Sequence, residues 1–139
     1  MIRAIREKTN SKKAEDMILR DVTYQIRGAI FDVYNELGPG LLESVYEEAL
    51  VYELQVRGMR VERQQEVPIM YKGKSLISSL RLDILVEDKV IVELKSVKEL
   101  QDVHFKQLLT YCRLADKRLG ILVNFNTDDI ERSIRRVAN

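Results

Sequence analysis

The chain has 139 residues, 45% of them hydrophobic and 32% charged, with a formal net charge of +1. That suits one domain around one core, and no apolar run approaches the roughly 20 residues a membrane-spanning helix needs. One Cys, Cys112, excludes an internal disulfide, and one Cys with one His, His104, cannot make a structural zinc site.

The opening "MIRAIREKTNSKKAED" lacks the apolar core of a signal peptide, so a cytoplasmic location is expected. Residues 1–15, with Arg3, Arg6, Lys8, Lys12 and Lys13, are expected to form a flexible basic segment ahead of a single domain over 16–139. From Thr23, Ile26, Ala29, Ile30, Val33 and Leu37 share one helical face, with Thr23 placed to cap and Gly38-Pro39 to stop the helix. A second helix runs to Gly58, with Leu42, Tyr46, Ala49, Leu50 and Leu54 as its stripe. The period then switches to two. Residues 60–71 predict a strand with Pro68 at an edge or bulge, 76–86 a second and 90–97 a third, joined by short turns. Residues 102–116 predict a helix capped by Asp102, 119–126 a buried strand, and 128–139 a closing helix. The order is ααβββαβα, a mixed α/β class, and the unit over 90–125 should be a parallel crossover.

"RLDILVEDKVIVELK", residues 81–95, places Asp83, Glu93 and Lys95 inside apolar runs. Charge in a strand costs little facing water and much facing a core. Glu93 and Lys95 share a face because strand side chains alternate. If Glu87-Asp88-Lys89 is a three-residue loop, Val86 pairs with Val90 and Asp83 falls opposite Glu93; a two-residue loop would put them on opposite faces. Two carboxylates across one rung raise one of their pKa values unless something compensates. Lys95 offsets part of this, and a divalent cation would offset far more. Mg²⁺ takes one or two carboxylates plus a phosphate, so the trio suits metal-assisted phosphodiester hydrolysis with Lys95 on the water. Taken alone the pattern is weak, and a solvated sheet face is the usual explanation.

Gln107 and Tyr111 lie one turn apart on the helix over 102–116, and His104 shares their face. By itself this is an exposed polar stripe, with Leu108, Leu109 and Cys112 on the packing side. Glu43, near the start of the second helix, is by itself a helix-dipole partner. Glu47, one turn on, is a surface residue or a neighbour of the same site.

Together these residues resemble a known family. "GLLESVY", residues 40–46, is similar to the Gly-x-x-Glu-x-x-Tyr signature of the GxxExxY family, within the RecB-type branch of the PD-(D/E)xK nuclease superfamily. The resemblance continues through "VPIMYKG", "RLDILV", "VIVELKSV", "HFKQLLTY" and "GILVNFN". It implies a restriction-endonuclease-like fold, a small mixed sheet flanked by helices. It further implies that Glu43, Asp83 and Glu93 hold a metal, Mg²⁺ or Mn²⁺, that Asp83, Glu93 and Lys95 are catalytic, and that Gln107 and Tyr111, with His104 beside them, meet the nucleic acid. RecB-type relatives often carry a His upstream of the Asp, where this chain has Tyr34.

A metal-dependent nuclease, with DNA as the expected substrate, is therefore the leading expectation. The alternatives are a non-catalytic nucleic-acid or protein-binding module that keeps the fold, and a small-molecule phosphohydrolase. No P-loop or Gly-x-Gly-x-x-Gly supports nucleotide-driven chemistry. Phosphate contacts dominate nucleic-acid affinity, so Arg81, Lys95, Lys98 and Lys106 are expected to ring the site, with a homodimer or partner protein supplying further basic surface.

Overall fold

The computed structural model describes residues 2–139. Helices α1 (Ile2–Leu37) and α2 (Glu43–Val56) open the chain, followed by strands β1 (Val61–Tyr71), β2 (Lys74–Val86) and β3 (Val90–Lys95). Helix α3 (Asp102–Leu114), strand β4 (Leu119–Asn124), the single turn α4 (Ile130–Ser133) and strand β5 (Ile134–Ala138) complete it. One sheet holds all five strands in sequence order. β3 and β4 are parallel, the product of the α3 crossover; the other neighbours are antiparallel. β1 is an edge strand and its register shifts between Pro68 and Met70, so Pro68 sits at both an edge and an irregularity.

The sheet is covered on both faces. Ile26, Ile30, Tyr46, Leu50 and Leu54 of α1 and α2 pack on Ile84, Val92, Leu94, Ile121 and Val123. Leu108 and Cys112 of α3 pack on Leu82, Leu85, Ile91 and Leu122. α3 comes in close because Gly120 of β4 lies beneath it: a Cβ there would stand 2.8 Å from Leu108 and 3.0 Å from Cys112 Sγ.

Several expectations are corrected. α1 is unbroken from Ile2, so the segment expected to be flexible over 1–15 is helical from residue 2. Its first turns carry helix-favouring Ala, Arg, Glu and Lys, with Arg3 and Glu7 paired at 3.2 Å one turn apart. Thr23 therefore caps nothing; its hydroxyl donates to the Leu19 carbonyl at 2.7 Å. The closing helix over 128–139 shrinks to α4, and β5 pairs with β4 instead. Ile130, Ile134 and Val137 have helical spacing, but β5 covers an edge of β4 that would otherwise be open. α3 is capped by Gln101, not Asp102: the His104 backbone amide donates to the Gln101 backbone carbonyl at 3.0 Å, and His104 Nδ1 accepts from the Gln101 amide at 2.9 Å. Leu42 and Leu109 lie outside the core. Leu42 precedes the first turn of α2, and Leu109 is one step off the Leu108–Cys112 stripe. No helix among the described residues is long and apolar enough to cross a membrane.

Candidate active site

Glu87, Asp88 and Lys89 form a three-residue loop, with Glu87 and Asp88 both at φ 53°. Val86 faces Val90, Leu85 faces Ile91, and Ile84 faces Val92. At the next rung side chains replace the backbone ladder. The Asp83 amide donates to Glu93 Oε1 at 3.2 Å, and the Leu94 amide donates to Asp83 Oδ2 at 3.0 Å. The alternation of β2 breaks there too, since Leu82 and Leu85 both pack under α3 while Ile84 packs on the other face. The β2–β3 pairing ends at the Ile84–Val92 rung, so the strands part where the two carboxylates meet.

Glu93 is buried. Burial raises its pKa, and the charge of Asp83 and a side-chain hydrogen bond with Asp83 raise it further, to about 9. Lys95, half-buried at the end of β3, opposes the shift. Glu93 in turn raises two neighbours. The Tyr111 phenol is raised by burial, then by Glu93 and Asp83. The Cys112 thiol is pushed up to about 11 by burial and Glu93.

Glu43 reaches this place through a tied turn. Gly38 and Gly40 have φ 69° and 97°, which favour glycine. The Tyr46 hydroxyl donates to the Gly38 carbonyl and accepts from the Leu41 amide at 3.0 Å, closing the turn that starts α2. Its ring stacks on Phe125 at 4.4 Å. Ser96 Oγ donates to the Leu41 carbonyl at 2.6 Å, binding the turn to the end of β3. The Gly, Glu and Tyr of "GLLESVY" thus bend, present and anchor. Glu43 is exposed as a residue, yet burial of its carboxyl raises its pKa, Lys95 lowers it, and Asp83 raises it.

Asp83, Glu93, Lys95 and Tyr111 are thus brought together, with Glu43 at the lip. His104 also bears on Glu43, but its Nδ1 serves the α3 cap. Gln107 is exposed, one turn before Tyr111. Arg81 is tied to Glu66 at 3.0 Å, and Tyr34 donates to the Thr127 carbonyl at 2.6 Å. Two further residues belong to the surroundings, and of these Gln64 carries no sequence signal. Glu47 is buried, not on the surface. Gln64 stands between the pairs Arg63–Ile84 and Gln65–Leu82, hence opposite Asp83, with φ 52°. Gln64 Nε2 donates to Glu47 Oε1 at 2.8 Å, and Arg63 Nε lies 3.7 Å from the same oxygen.

Among the described residues no three His, Cys, Asp or Glu side chains stand together so as to hold a metal ion. Mg²⁺ needs no such trio: it keeps several waters and takes one or two carboxylates. Asp83 and Glu93 are hard oxygen donors whose closeness is costly without a counter-charge, so the donor set fits such an ion, with Glu43 further out.

A family model described as the PD-(D/E)XK nuclease superfamily matches residues 20–137. A solved structure described as "Crystal structure of SSO0001" is similar at 24% identity and a TM-score of 0.54, over 70% of this chain and 50% of that one. The chain therefore spans about half the length of that protein, and the likeness is one of fold. A comparison with curated proteins finds no match. The mixed five-stranded sheet flanked by helices is the restriction-endonuclease-like arrangement, and the matched residues run from α1 to β5: the chain belongs to the PD-(D/E)XK nuclease superfamily.

Proposed function

We propose that this chain is a divalent-metal-dependent nuclease of the RecB-type, GxxExxY branch that hydrolyses phosphodiester bonds, with DNA as substrate. The observation that carries the reading is the buried Glu93 carboxyl facing Asp83 where β2 and β3 part. A structural role would favour apolar residues there, because a buried acid beside a second, half-buried one is destabilised. A divalent cation, Mg²⁺ or Mn²⁺, supplies charge that offsets both acids and the phosphate, and acidifies water. Asp83 and Glu93 would hold it, with Glu43 reaching it from the lip. Lys95, a compact charge with three donors, orients the attacking water and faces the phosphate oxygens. The water oxygen bonds to phosphorus and gives up its proton to solvent as the bond to the sugar oxygen breaks, and the leaving oxygen takes a proton from solvent. Tyr111, Gln107 and His104 line the approach along α3 and contact the strand. A homodimer or partner protein would add basic surface beyond that of this chain.

The test is cleavage of end-labelled single- and double-stranded DNA and RNA with Mg²⁺, Mn²⁺ or EDTA. The wild type should cut with metal only, and Asp83→Ala, Glu93→Ala and Lys95→Ala should each lose about a hundredfold or more. Cutting that persists in Asp83→Ala, or in EDTA, would show that this site is not the nuclease. Absence of cutting in the wild type with either metal would hand the lead to a binding module.

A further inference from the structure

Beyond Lys95, at the C-terminal ends of β3 and β4, lies a second feature, a cavity of about 590 Å³. It opens between Pro39, the connection from β3 to α3, and the connection from β4 to α4. Parallel strands of an α/β sheet bind ligands outside their carboxyl ends, and this volume lies within the range of small-ligand pockets. Asn124 forms part of its wall and is in register with Lys95 on β3, so the cavity begins one strand spacing, about 4.8 Å, from the backbone of Lys95. The Phe125 amide donates to the Lys95 carbonyl at 2.9 Å, which ties the two together.

The wall is rigid. Asn124 Oδ1 accepts from the Val97 and Asn126 amides at 3.1 and 3.2 Å, and its Nδ2 donates to the Val97 carbonyl at 2.9 Å. The rim is cationic and aromatic. Lys98, Arg132 and Arg135 line it, as does the half-buried Phe105. Arg132 is held by Asp129 at 3.3 Å. Lys98 and Arg135 are exposed and have no ion-pair partner among the described residues, although Glu99 and Asp128 share the rim. Unneutralised cations around a concavity attract phosphate, and an aromatic face beside them suits stacking of a base.

We infer that this cavity is a nucleotide subsite, holding the sugar-phosphate unit that flanks the scissile bond through Lys98 and Arg135, with Phe105 against the base. The inference rests on the reading of the strand as nucleic acid, and it adds a site that the Asp83–Glu93 pair does not require.

Binding can be read without chemistry. Fluorescence anisotropy in EDTA would follow a labelled 12-nucleotide single strand, as DNA and as RNA of the same sequence. The proteins are the wild type, Lys98→Ala/Arg135→Ala, and a Lys12→Ala/Lys13→Ala control on the far part of α1. The subsite predicts a Kd raised about tenfold or more in the first double variant. It also predicts a log–log salt slope smaller by about 0.7, for one lost phosphate on a single strand. The control should stay within about twofold of wild type, and loss on DNA, RNA or both supports the subsite and tells which sugar it takes. Wild-type affinity in the first variant, or no binding of either strand by the wild type, overturns it. Cleavage by the wild type and Asp83→Ala is scored in parallel. Cutting with affinity untouched by Lys98→Ala/Arg135→Ala would sink the subsite and leave the nuclease standing. Binding through Lys98 and Arg135 without cutting would do the reverse.

Discussion

Gln64 donates its side-chain amide to Glu47 at 2.8 Å across the gap from β1 to α2, from a backbone held at φ 52° inside a strand. A non-glycine residue in that conformation costs on the order of 1 kcal/mol or more and persists only when its surroundings impose it. Here they do: the rung is the one that carries Asp83, and Glu47 lies one turn beyond Glu43. Gln64→Ala should therefore cost about 1–3 kcal/mol, because the buried Glu47 carboxylate keeps only Arg63, at 3.7 Å. Gln64→Gly loses the same bond but relieves the backbone, so it should be more stable than the alanine variant by about 1 kcal/mol. Both should cut about tenfold more slowly than wild type through a displaced Asp83. Urea unfolding of the two variants decides it; an alanine variant at least as stable as the glycine one would show that no backbone cost is stored at Gln64.

Glu93 has its pKa raised from 4.5 to about 9 by burial and by Asp83. The folded metal-free protein thus holds a proton that the unfolded chain has lost over that interval. Stability is then greatest below the unfolded pKa and falls as pH rises through the window toward 9, by up to about 1.4 kcal/mol per pH unit. Glu93→Gln copies the protonated acid and should flatten this dependence. Adding Mg²⁺ to the wild type at neutral pH should release a proton, visible as a buffer-dependent binding enthalpy. Matching pH–stability profiles for wild type and Glu93→Gln would remove the shared-proton account.

How far these features can be traced to sequence depends on which force sets them. The Asp83–Glu93 rung follows from loop length and strand alternation, both local, and the loop has the expected three residues. The turn before α2 is local as well, with glycines at positive φ and a tyrosine close enough to close it. The phase slip at Asp83 is not local: Leu82 packs beneath α3 while Ile84 packs on the other face, and Gln64 at φ 52° donates to Glu47 of α2. Neither has a residue type that marks it. β5 fails for a different reason, since Ile130, Ile134 and Val137 satisfy helical spacing and only the open edge of β4 decides between the two forms. The start of α1 shows the opposite error, in which a charged composition hides good helix propensity.

Tyr46 offers a test of the turn that presents Glu43. Its hydroxyl serves both the Gly38 carbonyl and the Leu41 amide. Tyr46→Phe keeps the ring stacked on Phe125 but leaves both backbone groups without that partner, a loss of about 1–3 kcal/mol. Glu43→Gln leaves the turn intact and should change stability little while lowering cleavage. If Tyr46→Phe cleaves as the wild type does despite its lower melting temperature, the turn is scaffold alone and does not position Glu43.

Gly120 tests the other wall. A Cβ at this position would meet Leu108 at 2.8 Å and Cys112 Sγ at 3.0 Å, so α3 must lift from β4 to admit it. Overpacking of this kind costs about 1–3 kcal/mol. The lift would also carry Tyr111 and Gln107 away from Asp83 and Glu93, so KM for the nucleic acid should rise more than kcat falls. Trimming the opposing side chain should undo both effects: Gly120→Ala with Leu108→Val should recover most of the stability and the lower KM together. Recovered stability with KM still raised would separate the packing of α3 from substrate contact, and Tyr111 and Gln107 would lose their proposed role.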